Sequence, residues 1–141
     1  MPGRFPFKIL EKYPHMKPED VTVWERYIAK NPALYESVDY DVPLGAGTPL
    51  PPGQPENMQA DWLVLTRKKI DAIAYQQDGA IHLVEVKPIA NMRALGQILT
   101  YQELYTASNP GVTTTSLVVA GKIDRELSVM FAKYGIQVAI A

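Results

Sequence analysis

Two acidic residues and a lysine lie on neighbouring predicted strands, where together they could act on a phosphodiester. The segment Lys69–Tyr75 has an alternating, strand-like pattern and carries Asp71, and the segment Ile81–Lys87 has the same pattern and carries Glu85 and Lys87. Paired carboxylates supply the hard oxygen ligands that a divalent cation prefers, and a nearby ammonium group offsets negative charge. Hydrolysis of a phosphodiester requires both features.

The turn between the two segments determines which residues face each other. A three-residue loop at 77–79, with Gly79 in the left-handed conformation, is a common way to close a hairpin. This loop places Asp71 opposite Glu85, and because strand side chains alternate, both acids and Lys87 share one face. A two-residue loop would shift the register by one and separate the acids. We favour the longer loop, partly because its consequence makes chemical sense.

Two carboxylates that face each other across a strand pair repel and destabilise it. Lys87 supplies part of the compensating positive charge, and a divalent cation would supply the rest. Taken alone, an acid two residues before a lysine is also a common pattern on a solvated strand face. Here Ile73 and Leu83 share the acids' face, so the hairpin is apolar on both sides, as a covered central strand pair would be. Charged residues embedded in such an apolar surface more often have a functional role than a merely solvent-facing one. A buried, metal-free salt bridge remains the structural alternative.

Length and composition indicate one compact domain. The chain has 141 residues, a formal net charge of −1 and no cysteine, so it offers neither disulfides nor a thiolate metal site. The near-neutral charge argues mildly against a protein that coats nucleic acid. No apolar run approaches the roughly 20 residues of a membrane helix, and the N-terminus lacks the apolar core of a signal peptide. We therefore expect a cytoplasmic protein without a membrane partner.

The pattern of elements predicts an α/β fold with a mixed central sheet flanked by helices. The predicted order is α-β-β-β-α-β-α-β. Residues 1–17 are expected to form an N-terminal arm, and residues 18–141 a single domain with a proline- and glycine-rich loop at 43–57. The first helix opens at Pro18, and its buried stripe is predicted to be Val21, Trp24 and Ile28, with Tyr27 as a further candidate.

Basic residues flank the acidic pair in the sequence. Arg67 and Lys68 run into the first strand, and Arg93 follows the second. They could contact phosphates, although a solvated, charged strand end explains them equally well. His82 lies on the opposite strand face from Glu85 and is better explained as a satisfied core or interface histidine.

The order of these motifs resembles the PD-(D/E)XK nuclease superfamily. Asp71 is followed fourteen residues later by Glu85-Val86-Lys87, and then by a helix that carries Gln97 and Tyr101. The glutamine and tyrosine are typical of the RecB-like branch. Ile70 stands where the family's name has proline. The resemblance covers roughly residues 19 to 120 and implies a restriction-endonuclease-like fold.

The resemblance also implies a role for each residue. Asp71 and Glu85 would be the metal-binding carboxylates, and the main-chain carbonyl of Val86 a further ligand. The metal would be Mg²⁺, for which Mn²⁺ can substitute. Lys87 would orient or help to deprotonate the attacking water. Gln97 and Tyr101, on one helix face, would contact phosphate or hold the catalytic side chains.

Such families often place one more acid on the first helix. Glu25 is our choice because it lies next to Trp24, at the edge of the predicted buried stripe. Glu36 and Glu19 are the other candidates. An exposed helix acid that pairs with a neighbouring cation explains Glu25 equally well.

The resemblance therefore implies a metal-dependent nuclease that acts on DNA. Resolvases and repair nucleases of this kind occur in phage and mobile elements, and a resolvase-like homodimer is one expectation because the chain has little room for a separate recognition domain. The alternative is a catalytically inactive nucleic-acid-binding or assembly module that retains the fold. The complete set of Asp71, Glu85 and Lys87 argues against that alternative.

Overall fold

A computed structural model describes residues 2–141 as an α/β fold with a six-stranded mixed sheet and helices on both faces. The elements are β1 (Phe5–Pro6), α1 (Pro18–Lys30), β2 (Ser37–Leu44), α2 (Gln59–Thr66), β3 (Lys68–Tyr75), β4 (Ile81–Ala90), α3 (Met92–Ser108), β5 (Thr114–Ile123), α4 (Ser128–Lys133) and β6 (Gln137–Ile140). One 3₁₀ turn precedes α2, and another precedes α4. The predicted fold class is therefore confirmed.

The strands lie in the sheet in chain order, from β1 at one edge to β6 at the other. The pairs from β1 to β4 are antiparallel, and β4, β5 and β6 are parallel to one another. Two short elements, β1 and α2, were not expected from the sequence. None of the helices within residues 2–141 is long and apolar enough to cross a membrane.

The sheet separates two hydrophobic cores. The first core lies against α1 and includes Trp24, whose indole Nε1–H donates to the hydroxyl of Tyr40 at 2.8 Å. Phe7, from the segment before α1, packs edge-on against Trp24 in the same core. The second core lies against α3 and α4 and is centred on Ile98 and Phe131.

The buried stripe of α1 differs from the prediction. Trp24 and Ile28 are buried as expected, but Val21 is only half-buried and its place is taken by Val23. Asp20 is also buried, with 7% of its surface exposed. The inward face of α1 is therefore rotated relative to the prediction and carries an acid at its N-terminal end.

The hairpin of β3 and β4 has the predicted register. Its three-residue loop closes with Gly79 at a φ of 91°, and the N–H of Gln76 donates to the carbonyl of Ala80 at 2.9 Å. The ladder continues to the pair of Ala72 and Val84 and ends there, one position before the two acids. Both strands are central in the sheet, as the apolar pattern on their two faces indicates.

Candidate metal and nucleic-acid site

Asp71 and Glu85 meet where the β3–β4 ladder ends, and each carboxylate bonds to the other strand. The main-chain N–H of Asp71 donates to Oε1 of Glu85 at 3.1 Å, and the N–H of Val86 donates to Oδ2 of Asp71 at 2.9 Å. At Val86 a side chain thus takes the place of the ladder bond that the backbone of β3 would otherwise make. This arrangement brings the two predicted carboxylates into one group.

Burial makes this pair electrostatically unfavourable in isolation. Only 1% of the Glu85 surface is exposed, and burial, followed by the charge of Asp71, raises the pKa of Glu85 to about 8. Burial also raises the pKa of Asp71. Lys87 lies beside the pair, with its Nζ 3.7 Å from Oε2 of Glu85, and its charge lowers both pKa values without cancelling the effect of burial. Another cation would relieve the remaining repulsion.

The donor atoms at this point suit a hard cation. Two carboxylates are present, and the main chain of Val86 faces the β3 side beyond the last ladder pair, because its N–H reaches Asp71 and the carbonyl of a strand residue points the same way. Within residues 2–141 no three His, Cys, Asp or Glu side chains are grouped as a metal site. Two carboxylates and a carbonyl fit Mg²⁺, which retains several waters and takes further oxygens from its substrate.

Asp20, rather than Glu25, is the helix acid that lies near this group. Burial raises the pKa of Asp20, and the charges of Asp71 and Lys87 also act on it. Glu25, five residues further along α1, instead accepts a hydrogen bond from the hydroxyl of Tyr13 at 3.0 Å. The structure therefore does not bring Glu25 to the acid pair. A sequence signal for Asp20 existed: it lies four residues before Trp24, on the same helix face.

Four of the predicted substrate-binding residues line one cavity of about 510 Å³. Its lining consists of Lys68, Arg93, Gly96, Gln97, Thr100 and Tyr101. Burial, followed by the charges of Glu85 and Asp71, raises the pKa of Tyr101 to about 12, which places this tyrosine beside the acid pair. Oε1 of Gln97 is buried and has no hydrogen-bond partner within the described residues. A buried acceptor without a partner is costly unless a ligand donates to it.

A second cavity, of about 240 Å³, also has Arg93 in its lining. Its charged lining residues are Lys17, Glu19, Asp20, Lys87 and Arg93. Arg93 lines both cavities and Lys87 lines the second, so the two concave surfaces share one cation.

Other predicted residues lie elsewhere. The Nε–H of Arg67 donates to the carbonyl of Gly45 at 2.8 Å, so Arg67 fastens the loop after β2 and does not line the cavity. Nδ1 of His82 lies 2.7 Å from the hydroxyl of Tyr35, as expected for a satisfied histidine.

The fold is similar to that of solved endonucleases. No protein-family model matches the chain, and no curated protein matches it. A repair endonuclease from Pyrococcus abyssi is 19% identical with a TM-score of 0.52, and the match covers 94% of this chain and 49% of that one. EndoMS is 17% identical in both of its structures. Its complex with double-stranded DNA has a TM-score of 0.52 and its apo form one of 0.50, and each match covers 94% of this chain and 48% of EndoMS. The chain thus spans about half the length of these proteins, and the likeness establishes its fold.

Proposed function

We propose that this chain is a metal-dependent nuclease that hydrolyses phosphodiester bonds in DNA. The observation that carries the proposal is the pairing of Asp71 with the buried Glu85, in which each carboxylate accepts from a main-chain N–H of the other strand, with the ammonium group of Lys87 beside Glu85. A protein has little reason to bury two facing acids unless a cation joins them. The same three residues carry the resemblance to the PD-(D/E)XK superfamily.

The choice of DNA and of a repair-type activity draws support from the similar structures. One of them is described as a repair endonuclease and another as a complex with double-stranded DNA. Gln97 and Tyr101, which carry the resemblance to the RecB-like branch, also line one cavity together with two basic residues, and this supports a contact with the substrate backbone. We therefore favour a repair-type enzyme over a resolvase.

Asp71, Glu85 and the carbonyl of Val86 would hold Mg²⁺. When bound, the cation lowers the pKa of water and neutralises negative charge that develops on the phosphate. Lys87 is placed to hold a water molecule and to stabilise charge on the phosphoryl oxygens. Its Nζ lies 3.7 Å from Oε2 of Glu85, which holds the ammonium group beside the proposed metal site.

The residues around the acids would position the substrate. Lys68 and Arg93 would bind phosphates of the scissile strand, and Gln97 and Tyr101, which line the same cavity, would offer an amide N–H and a hydroxyl to them. Asp20 would act as the additional acid of α1, close enough to influence both Asp71 and Lys87.

The proposal is tested by incubating the protein with supercoiled, linear, single-stranded and branched DNA, and with RNA, in Mg²⁺, in Mn²⁺ and in EDTA. We expect cleavage of DNA that EDTA abolishes and that Asp71→Asn and Lys87→Met each reduce by at least about 100-fold. Lys133→Met, on the exposed surface of α4, is the matched control and should cleave as the parent does.

Two other results would count against the proposal. Absence of cleavage on every nucleic acid, together with retained DNA binding, would favour the inactive binding or assembly module. Cleavage that persists in EDTA, or in Asp71→Asn, would show that the activity arises elsewhere.

Sedimentation of the same samples tests the expected homodimer.

A further inference from the structure

Asp41 has a backbone conformation that strand residues rarely adopt. Its φ is 52°, in the left-handed region, which aspartate and asparagine tolerate and β-branched residues avoid. In the register of β2 and β3 it lies opposite Asp71, yet these two residues do not form a ladder pair. The flanking pairs are formed, Tyr40 with Ala72 and Val42 with Ile70.

The side-chain alternation of both strands reverses at this point. Tyr40 and Ala72 belong to the first core, on the α1 face of the sheet. Ile70 belongs to the second core, on the opposite face, and Val42 packs against that core. Residues two apart on a regular strand share a face, so the strands change faces at Asp41 and its opposite residue.

The same break redirects the main-chain N–H of Asp71. Alternate residues of a central strand direct their N–H and C=O groups toward opposite neighbours. The carbonyl of Tyr75 accepts from the N–H of Glu36, just before β2, so odd-numbered residues of β3 face β2. In an unbroken ladder the N–H of Asp71 would therefore face Asp41. It donates instead to Oε1 of Glu85, at 3.1 Å.

We infer that Asp41 is a positioning residue, whose left-handed backbone opens the β2–β3 ladder and turns Asp71 toward Glu85. The inference rests on the proposed metal site. The Asp41 carboxylate lies 3.6 Å from Nε2 of His15, and its negative charge contributes to raising the pKa of Asp71. The charge of Asp41 disfavours an ionised Asp71, so the charge does not explain why an aspartate occupies position 41. The tolerance of aspartate for a positive φ does explain it.

Three substitutions separate the backbone conformation from the charge. Asp41→Gly, Asp41→Ala and Asp41→Val all remove the carboxylate, but only glycine adopts a positive φ freely, and valine resists it most. The Kd for Mn²⁺ is measured on the full chain by calorimetry, and urea unfolding in EDTA reports whether each variant folds. We expect the glycine variant to bind within about twofold of the parent and the valine variant at least tenfold more weakly, with alanine between them.

A spectroscopic measurement follows the redirected N–H itself. The ¹⁵N-resolved amide resonance of Asp71 should shift with Mg²⁺ in the parent and the glycine variant, since that amide donates to a proposed ligand. The shift should be lost in the valine variant. If valine prevents folding, the comparison of alanine with glycine decides.

The outcomes are distinguishable from a failure of the proposed function. Equal weakening in all three variants would assign the role to the carboxylate and overturn the inference, and so would unchanged Mn²⁺ binding in the valine variant. Glu85→Gln serves as the reference for the site. If Glu85→Gln leaves the Kd of the parent unchanged, the metal site itself is refuted.

Discussion

Replacing Glu85 by glutamine should make the metal-free protein more stable while removing its response to metal. Glutamine has the shape of glutamate, so its side-chain oxygen can still accept from the N–H of Asp71. Its amide carries no charge, which removes the repulsion between the two carboxylates. This is the pattern expected where a site has been selected for function at a cost in stability.

The magnitude follows from the pKa of Glu85, which rises from 4.5 to about 8 on folding. Between these values the native state holds a proton that the unfolded chain has released, so the free energy of unfolding falls as the pH rises through this window. Each pH unit is worth about 1.4 kcal/mol, so the loss reaches about 4 kcal/mol at about pH 7.5. Glutamine does not ionise, so the Glu85→Gln variant avoids this loss of unfolding free energy. Near pH 4.5 the two proteins should be equally stable.

Urea unfolding in EDTA, followed across this pH range, measures the difference directly. Saturating Mn²⁺ should then stabilise the parent, by about 2.7 kcal/mol at a hundred times its Kd, and leave Glu85→Gln unchanged. Glu103→Gln, on the exposed face of α3, is the matched control and should follow the parent throughout. The reasoning is wrong if Glu85→Gln is no more stable than the parent at pH 7.5, or if its advantage is independent of pH.

Other substitutions separate the remaining roles. Asp20→Asn should reduce DNA cleavage by about tenfold or more, whereas Glu25→Gln should leave the rate within roughly twofold of the parent, as single-turnover assays would show. Gln97→Leu removes a buried acceptor without a partner, so we expect the free energy of unfolding to rise by about 1 kcal/mol and the Kd for DNA to increase. Burial lowers the pKa of His82, so the unfolded chain takes up a proton below about pH 6.5 that the native state refuses. The stability of the parent should therefore fall as the pH drops through that value, and thermal unfolding at pH 5.5 and 7.5 should show that His82→Gln removes this loss.

The hairpin was predictable because its information is local. Gly79 accepts a positive φ, the loop length sets the register, and alternating apolar residues indicate two covered faces. These local signals are sufficient to predict that Asp71 lies opposite Glu85.

The elements that the sequence did not reveal lack such local signals. β1 has only two residues, and its place depends on pairing with β2, which lies far along the chain. α2 follows the proline- and glycine-rich loop and is apolar around most of its circumference, so no helical periodicity marks a buried face.

Asp20 and Asp41 were missed for different reasons. Acids favour the first turn of a helix through its dipole, and this explanation hid the position of Asp20 on the same face as Trp24. Asp41 lies in a segment that alternates like an ordinary strand, and only the neighbouring strand shows that its backbone turns over. Both positions depend on how elements pack together, which residue spacing within one element does not report.

The central claim is that Asp71 and Glu85 together hold a divalent cation. Anomalous scattering from crystals grown with Mn²⁺ tests it most directly, with Asp71→Asn crystals as the control. We predict one strong Mn²⁺ peak within bonding distance of both carboxylates and of the carbonyl of Val86, and no peak there in Asp71→Asn. Saturating Mn²⁺ that leaves the space between the two carboxylates without a peak would contradict the account.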